Sequence, residues 1–91
     1  MDIEQLFEKH DNEYLKFDGV KNKLSTRPDL HAFLMLDKLF PGTDDMVCAA
    51  GHDIFYLGIG SEMINKLTED QVIELARCGV LYQEDSLAMF T

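Results

Sequence analysis

The fold is decided by one stretch of the chain, Leu67-Thr68-Glu69-Asp70-Gln71-Val72-Ile73-Glu74-Leu75-Ala76-Arg77-Cys78-Gly79-Val80. Thr68 and Gln71 lie three residues apart, the spacing of a capping box in which each side chain satisfies a backbone N–H of the first helical turn. Gly79 is placed to adopt the left-handed conformation that ends many helices. The stretch therefore predicts a helix over residues 68–78. These capping signals specify a helix and do not indicate a catalytic or binding site.

Strand patterns lie on both sides of this helix. Residues 53–59 are rich in β-branched and aromatic side chains and predict a strand. Residues 80–82 and 87–90 predict two short strands joined by the polar quartet 83–86, which suits a hairpin loop. We place strand 87–90 between the other two and antiparallel to both, so the expected sheet has three strands.

The N-terminal half predicts helices. Apolar residues from Ile3 to Leu24 recur at three-and-four spacing, which indicates one long amphipathic helix over residues 2–24. A second helix is expected over 28–40, and Thr43-Asp44-Asp45 are expected to cap a short helical segment over 46–50. The predicted fold class is α+β: two long N-terminal helices followed by a strand–helix–β-hairpin unit with a small three-stranded sheet. Residues 1–91 are expected to form a single domain.

Charge is the strongest global signal. Seventeen acidic residues against eight basic ones give a formal net charge of −9 and a pI near 4.5. Such a chain is repelled by phosphate backbones and by anionic membrane surfaces, so neither direct nucleic-acid binding nor membrane binding is expected. A basic protein surface would attract it. The alternative is that the acidity serves solubility alone.

Cysteine usage and the N-terminus favour the cytoplasm. Cys48 and Cys78 are too few for the disulfide framework of a small secreted domain. The opening residues 1–5 lack the basic and apolar regions of a signal peptide, and no apolar run approaches transmembrane length.

The second predicted helix offers a partner-binding surface. Residues 28–40 are apolar nearly all round, which is typical of a helix that is fully buried or that uses one face at an interface. The interface hypothesis combines apolar positions on this helix with acidic residues elsewhere. The candidate partner-binding residues are Leu30, Phe33, Leu34, Asp37, Glu8, Glu13, Asp44 and Asp45.

A zinc site is a weaker hypothesis. Cys48, His52 and Cys78, completed by His31 or His10, contain the ligand types of a tetrahedral site. Their spacing departs from the paired-ligand patterns, since Cys78 has no second ligand two to four residues away. The simpler interpretation is two core thiols and a loop histidine. No catalytic residue and no cofactor are predicted.

A resemblance is carried by stretches of the C-terminal two thirds: Arg27-Pro28-Asp29-Leu30-His31-Ala32-Phe33, Ala50-Gly51-His52-Asp53-Ile54-Phe55-Tyr56-Leu57, and residues 67–72, 77–82 and 85–90. Together they resemble a group of small acidic proteins from tailed bacteriophages. The resemblance rests on the general character of these stretches and not on a catalytic motif, and it assigns no activity to any residue. It implies a phage gene product in the bacterial cytoplasm, of a size and charge often found in proteins that bind a host protein.

The resulting functional hypothesis is a non-enzymatic protein that binds a host or defence-system protein with a basic surface. Acidic residues would steer the encounter and an apolar patch would supply affinity. Binding could inhibit the partner, including by mimicry of nucleic acid. The competing hypotheses are a structural or accessory protein that forms a homodimer through the second helix, and the zinc protein described above.

Overall fold

The computed structural model describes residues 2–42 and 45–90. Two single 3₁₀ turns, Asp11–Glu13 and Phe17–Gly19, follow the first helix. The helices and strands follow one another along the chain as α1 (Ile3–Lys9), α2 (Pro28–Leu39), β1 (Val47–Ala50), β2 (Ile54–Leu57), α3 (Ser61–Ile64), α4 (Glu69–Arg77), β3 (Val80–Gln83) and β4 (Ser86–Phe90). The fold is α+β, and its strands form one antiparallel four-stranded sheet in the order β1-β2-β4-β3.

Helix α4 is confirmed as the sequence predicts it. The Thr68 hydroxyl accepts the backbone N–H of Gln71 at 3.2 Å, and the Gln71 side chain accepts the N–H of Thr68 at 2.9 Å. Gly79 has a φ of 91°, the left-handed value that lets the chain leave the helix. Val72 and Leu75 are fully buried, so the helix is fixed both by its local caps and by its packing.

The hairpin of β3 and β4 is closed by a two-residue loop. Glu84 and Asp85 have φ values of 53° and 61°, and Gln83 pairs with Ser86 across the loop. Positive φ at both loop residues is typical of the type I′ turn, whose twist matches that of the strands. Strand β4 lies between β2 and β3 and is antiparallel to both, as the sequence predicts.

The register of the sheet separates two faces. Val80, Tyr82 and Phe55 lie on the face that carries helices, since Tyr82 stacks on Phe7 of α1 and Phe55 meets Phe33 of α2. The intervening positions turn to the opposite face because side chains alternate along a strand. That second face holds Ile54, Tyr56, Leu81, Ala88 and Phe90.

The prediction of two long N-terminal helices was wrong, because the first helix stops early. Helix α1 covers only Ile3–Lys9 and is followed by the two 3₁₀ turns. Leu15 then has a φ of 63°, a value that no right-handed helix permits. The apolar periodicity over residues 2–24 therefore does not correspond to one continuous helix.

The cause of this break is the C-terminal end of α4. The last carbonyl groups of a helix lack partners within it. The Leu15 N–H donates to the Ala76 carbonyl at 3.0 Å, and the Arg77 guanidinium donates to the Gly19 carbonyl at 2.9 Å. Residues 10–20 wrap around the end of α4 because these bonds are available there. They join residues far apart in the chain, so the periodicity of the sequence does not predict them.

The prediction of a three-stranded sheet was also wrong, because the segment expected to be helical over residues 46–50 contains strand β1. Ala49 and Ala50 favour a helix locally, yet they pair with Tyr56 and Phe55 of β2. The exposed edge of β2 offers backbone hydrogen bonds that outweigh this preference. Thr43 and Asp44, two of the three expected caps, lie outside the described residues.

One buried polar side chain ties the N-terminal loop to the helices. His31 of α2 is 1% exposed. Its Nδ1 accepts the Leu24 N–H at 3.0 Å, and its Nε2–H donates to the Glu74 carboxylate of α4 at 2.8 Å. Because both ring nitrogens are satisfied, the imidazole is buried without a polar penalty.

Candidate protein-binding groove

A groove runs between α1 and the outer edge of β3. Its volume is about 400 Å³, within the size range of ligand and peptide pockets. We call it the acidic groove, and its lining residues are Glu4, Phe7, Glu8, Asp11, Tyr14, Ala76, Val80, Leu81, Tyr82 and Phe90. Because α1 and β3 are far apart in sequence, only the folded chain assembles it.

Three carboxylates line the α1 side of the groove. Glu4, Glu8 and Asp11 are spaced by four and three residues and are all exposed. In the described ranges 2–42 and 45–90, none of the three lies in a salt bridge, and the groove lining contains no Lys, Arg or His. The groove therefore presents negative charge that the described residues leave unbalanced.

Aromatic rings supply the apolar part of the groove. Phe7 and Tyr82 stack with ring centroids 6.0 Å apart and an interplanar angle of 21°. Tyr14 lines the groove beside them, and Phe90 is 56% exposed at its margin. Aromatic faces attract both apolar groups and cations, so the groove combines three acidic groups with surfaces that favour a cationic side chain.

The pKa of the Tyr82 phenol is affected by the same acidic surroundings. Burial raises its pKa above the ordinary value, and the carboxylates of Asp85, Glu4 and Asp2 raise it further. The phenol hydroxyl donates to Asp85 at 3.3 Å. A phenolate would add negative charge where negative charge is already concentrated. Tyr82 therefore contributes a neutral aromatic surface to the groove.

Local helix energetics account for only one of these carboxylates. Glu4 lies in the first turn of α1, where the helix dipole favours a negative charge. Glu8, however, lies four residues from Glu4, a spacing at which like charges repel on a helix surface. Glu8 also lies in the last turn of α1, where the helix dipole disfavours a negative charge. Residues that oppose local stability are expected at functional sites.

The predicted acidic partner-binding residues divide between different environments. Glu8 lines the acidic groove. Glu13 instead binds the Arg77 guanidinium at 2.8 Å, and this hydrogen bond lowers the pKa of the Glu13 carboxyl. Asp45 is exposed next to β1, and Asp44 lies outside the described residues. Of those that lie within the described residues, only Glu8 lines the groove.

The predicted residues of α2 lie on a separate surface. Leu30 and Leu34 are 43% and 41% exposed and, four residues apart, share one side of the helix. Phe33 is half-buried against Phe55, with ring centroids 6.2 Å apart. Asp37 is exposed. The exposed leucines form a small apolar patch, and none of these α2 residues lines the acidic groove.

The candidate zinc ligands are not brought together. Cys48 is exposed on β1, His52 is exposed in the turn after it, and Cys78 is buried. Burial raises the pKa of the Cys78 thiol to about 12, with Glu74 adding to the effect, which disfavours the thiolate that metal binding needs. No group of three or more ligating side chains suited to a metal occurs in residues 2–42 and 45–90.

The two further histidines considered for that site bind carboxylates instead. His31 is held by Leu24 and Glu74 as described above. The His10 Nε2 lies 2.7 Å from Glu69, which also accepts a hydrogen bond from Lys9 at 2.9 Å. These contacts lower the pKa of Glu69, the His10 hydrogen bond having the largest effect.

Sequence reasoning missed most of the groove. The apolar periodicity from Ile3 to Leu24 predicts one long helix that includes Phe7 and Tyr14 on its apolar face, and it does not single out Glu4 or Asp11. The available signal was the four-and-three spacing of Glu4, Glu8 and Asp11, which places like charges on one side of a helix. Tyr82 and Phe90 carry no such signal, because only the tertiary fold brings the hairpin beside α1.

The chain matches no protein-family model, no curated protein and no solved structure. No helix in the described part of the chain is long and apolar enough to cross a membrane.

Proposed function

We propose that this chain is a non-enzymatic binding protein whose acidic groove engages a basic protein partner. One observation carries the proposal: Glu4, Glu8 and Asp11 lie beside aromatic rings with no basic residue in the groove lining. Unbalanced charge next to apolar surface is typical of a protein interface with electrostatic complementarity.

The net charge of −9 and the groove have separate roles in this proposal. The overall charge speeds the encounter with a basic partner, an effect that weakens as salt rises. The aromatic residues then hold the partner, because affinity depends on a few well-packed anchors. Phe90, 56% exposed, is the most accessible of these anchors.

The resemblance to small phage proteins favours a host or defence-system protein as the partner, met in the bacterial cytoplasm. Occupying the partner's basic surface would inhibit it if that surface is functional. Mimicry of nucleic acid is one form of this proposal, in which groove carboxylates occupy a phosphate-binding site.

The test is capture from a bacterial lysate by immobilised protein at low and high salt. The variant Glu4→Gln/Glu8→Gln/Asp11→Asn removes three groove carboxylates. The control Asp18→Asn/Asp53→Asn/Glu62→Gln removes three exposed carboxylates outside the groove. We expect a partner captured by the wild type and the control, released by salt, and lost from the groove variant. Capture that is equal for all three proteins, or indifferent to salt, would overturn the proposal.

A second candidate function is homodimerisation through α2. It is favoured by the exposed Leu30 and Leu34 beside the half-buried Phe33. The patch is small, which disfavours a stable dimer. Light scattering over a range of concentrations tests it. A mass that rises to that of a dimer, and that Leu30→Ser/Leu34→Ser returns to a monomer, would support this function. A constant monomer mass would exclude it.

A further inference from the structure

Strand β3 forms one wall of the acidic groove. Three consecutive residues, Val80, Leu81 and Tyr82, line it. Since consecutive side chains point to opposite faces, a groove that touches all three lies along the edge of the strand. No other strand of the described residues pairs with this edge, because β3 is last in the sheet order.

The register identifies which backbone groups face the groove. Gln83 and Ser86 flank the two-residue loop, and such a flanking pair exchanges hydrogen bonds. Hydrogen-bonded and non-bonded pairs alternate along an antiparallel ladder. Leu81 therefore bonds to β4, whereas the N–H and C=O groups of Val80 and Tyr82 point away from β4. Neither N–H has another backbone partner among the described residues. Val80 is 1% exposed and Tyr82 is half-buried, so the accessible backbone pair of this edge is that of Tyr82.

The two sides of this edge differ in chemistry. On the helical side lie the carboxylates of Glu4, Glu8 and Asp11. On the opposite side lie the apolar side chains of Leu81 and Phe90. A strand added to the edge would direct alternate side chains to these two sides.

We propose that the groove binds an extended basic segment of the partner, which adds a fifth strand beside β3. Its alternate side chains are Lys or Arg, which meet the α1 carboxylates, and apolar groups, which meet Leu81 and Phe90. This inference rests on the proposed function and specifies the conformation and sequence pattern of the partner segment. Strand addition gives affinity through main-chain hydrogen bonds and specificity through alternate side chains.

Two further observations favour this occupant over a second copy of the chain. Pairing two β3 edges would bring the carboxylates of both α1 helices together, and like charges across an interface are unfavourable. The other free edge, β1, has an irregular register between Val47 and Ala49. Irregular edges are a common way to block strand addition, whereas the pairing of β3 is continuous.

The test uses the full chain labelled with ¹⁵N and the capped peptide Ac-KVKVKV-NH₂ as the probe. We expect the peptide to shift the resonances of the groove residues and Ac-EVEVEV-NH₂ to leave them unchanged. At saturation, the Tyr82 amide should exchange with solvent at least about tenfold more slowly, because it becomes hydrogen-bonded. The Leu81 amide, already bonded to β4, serves as the internal control.

The variant Glu4→Gln/Glu8→Gln/Asp11→Asn should weaken peptide binding about tenfold, since three exposed charge pairs each contribute modestly. The control Asp18→Asn/Asp53→Asn/Glu62→Gln should bind as the wild type does. Groove shifts without protection of the Tyr82 amide would overturn the strand addition, as would equal binding of the acidic peptide. Lysate capture that depends on the groove carboxylates, together with absent peptide binding, would overturn this inference while leaving the proposed function supported.

Discussion

Two sets of carboxylates in this molecule have opposite surroundings. Glu13, Glu69 and Glu74 each contact a basic side chain at 2.9 Å or less. Glu4, Glu8 and Asp11 contact none within the described residues, although Glu13 follows Asp11 by only two positions. We call the first set the paired carboxylates and the second the groove carboxylates.

The difference separates folding from binding. Each paired carboxylate joins α4 or the loop around it to another element: Glu13 binds Arg77, Glu69 binds Lys9 and His10, and Glu74 binds His31. The groove carboxylates lie on α1 and in the 3₁₀ turn after it, and within the described residues their side chains form no hydrogen bond or salt bridge. We therefore expect changes at the paired set to affect stability and changes at the groove set to affect partner binding.

The largest expected effect is at His31, the partner of Glu74. Replacement of His31 by Ala removes a fully buried ring and leaves the Leu24 N–H without its acceptor. We expect a loss of about 2–4 kcal/mol in the free energy of unfolding, measured by urea denaturation. Leu30→Ala, at the neighbouring exposed position, should cost well under half as much. Equal losses would show that His31 has no special role.

A smaller effect is expected at Arg77, the partner of Glu13. Arg77→Met keeps the aliphatic part of the side chain but loses the bonds to Glu13 and to the Gly19 carbonyl. The urea midpoint should fall by less than it does for His31→Ala. Lys21→Met removes the same charge at an exposed position and should leave the midpoint nearly unchanged; an equal fall there would contradict the assignment.

The Arg77 effect should also depend on pH. The hydrogen bond from Arg77 lowers the pKa of Glu13 below its ordinary value of 4.5. A group whose pKa is depressed by folding stabilises the fold above its unfolded-state pKa and loses this contribution as the pH falls through the folded-state pKa. The midpoint difference between wild type and Arg77→Met should be full at pH 7 and shrink below pH 4.5. A constant difference would mean that the ion pair contributes nothing.

The smallest effect on stability is expected at the groove carboxylates. Glu8→Gln removes a like-charge neighbour of Glu4 and an unfavourable charge in the last turn of α1. The free energy of unfolding should stay within about 0.5 kcal/mol of the wild type or rise slightly. Glu69→Gln, which loses a paired carboxylate, is the matched comparison and should lower it. A clear loss of stability in Glu8→Gln would contradict the claim that only the paired carboxylates stabilise the fold.

How well the sequence predicts each part depends on how local its interactions are. Helix α4 and the hairpin that follows it are predictable because Thr68 caps Gln71 three residues away and the Glu84-Asp85 loop closes on its own neighbours. The course of residues 10–20 is not predictable in this way, because the Leu15 N–H binds Ala76, far along the chain. Strand β1 likewise depends on the edge of β2, which local propensity does not represent.

The same dependence on local interactions determines how much of the candidate site the sequence predicts. Glu8 is identifiable from sequence as an exposed acidic residue, but its neighbours in the groove come from α1 and from the hairpin together. The sequence also does not predict that Glu8 and Glu13 have different surroundings, because Glu13 contacts Arg77 only after the loop wraps around α4. Charge spacing along a helix is visible in a sequence, whereas the presence or absence of a distant partner is not.

The most direct test compares two triple variants that raise the net charge equally: Glu4→Gln/Glu8→Gln/Asp11→Asn and Glu13→Gln/Glu69→Gln/Glu74→Gln. For each folded protein, the dissociation constant for Ac-KVKVKV-NH₂ is measured alongside the urea midpoint. We predict that the groove variant binds about tenfold more weakly with an unchanged midpoint, and that the paired variant binds normally with a lowered midpoint. Equal weakening of binding in both variants would show that net charge alone attracts the peptide and would contradict the assignment of binding to the groove.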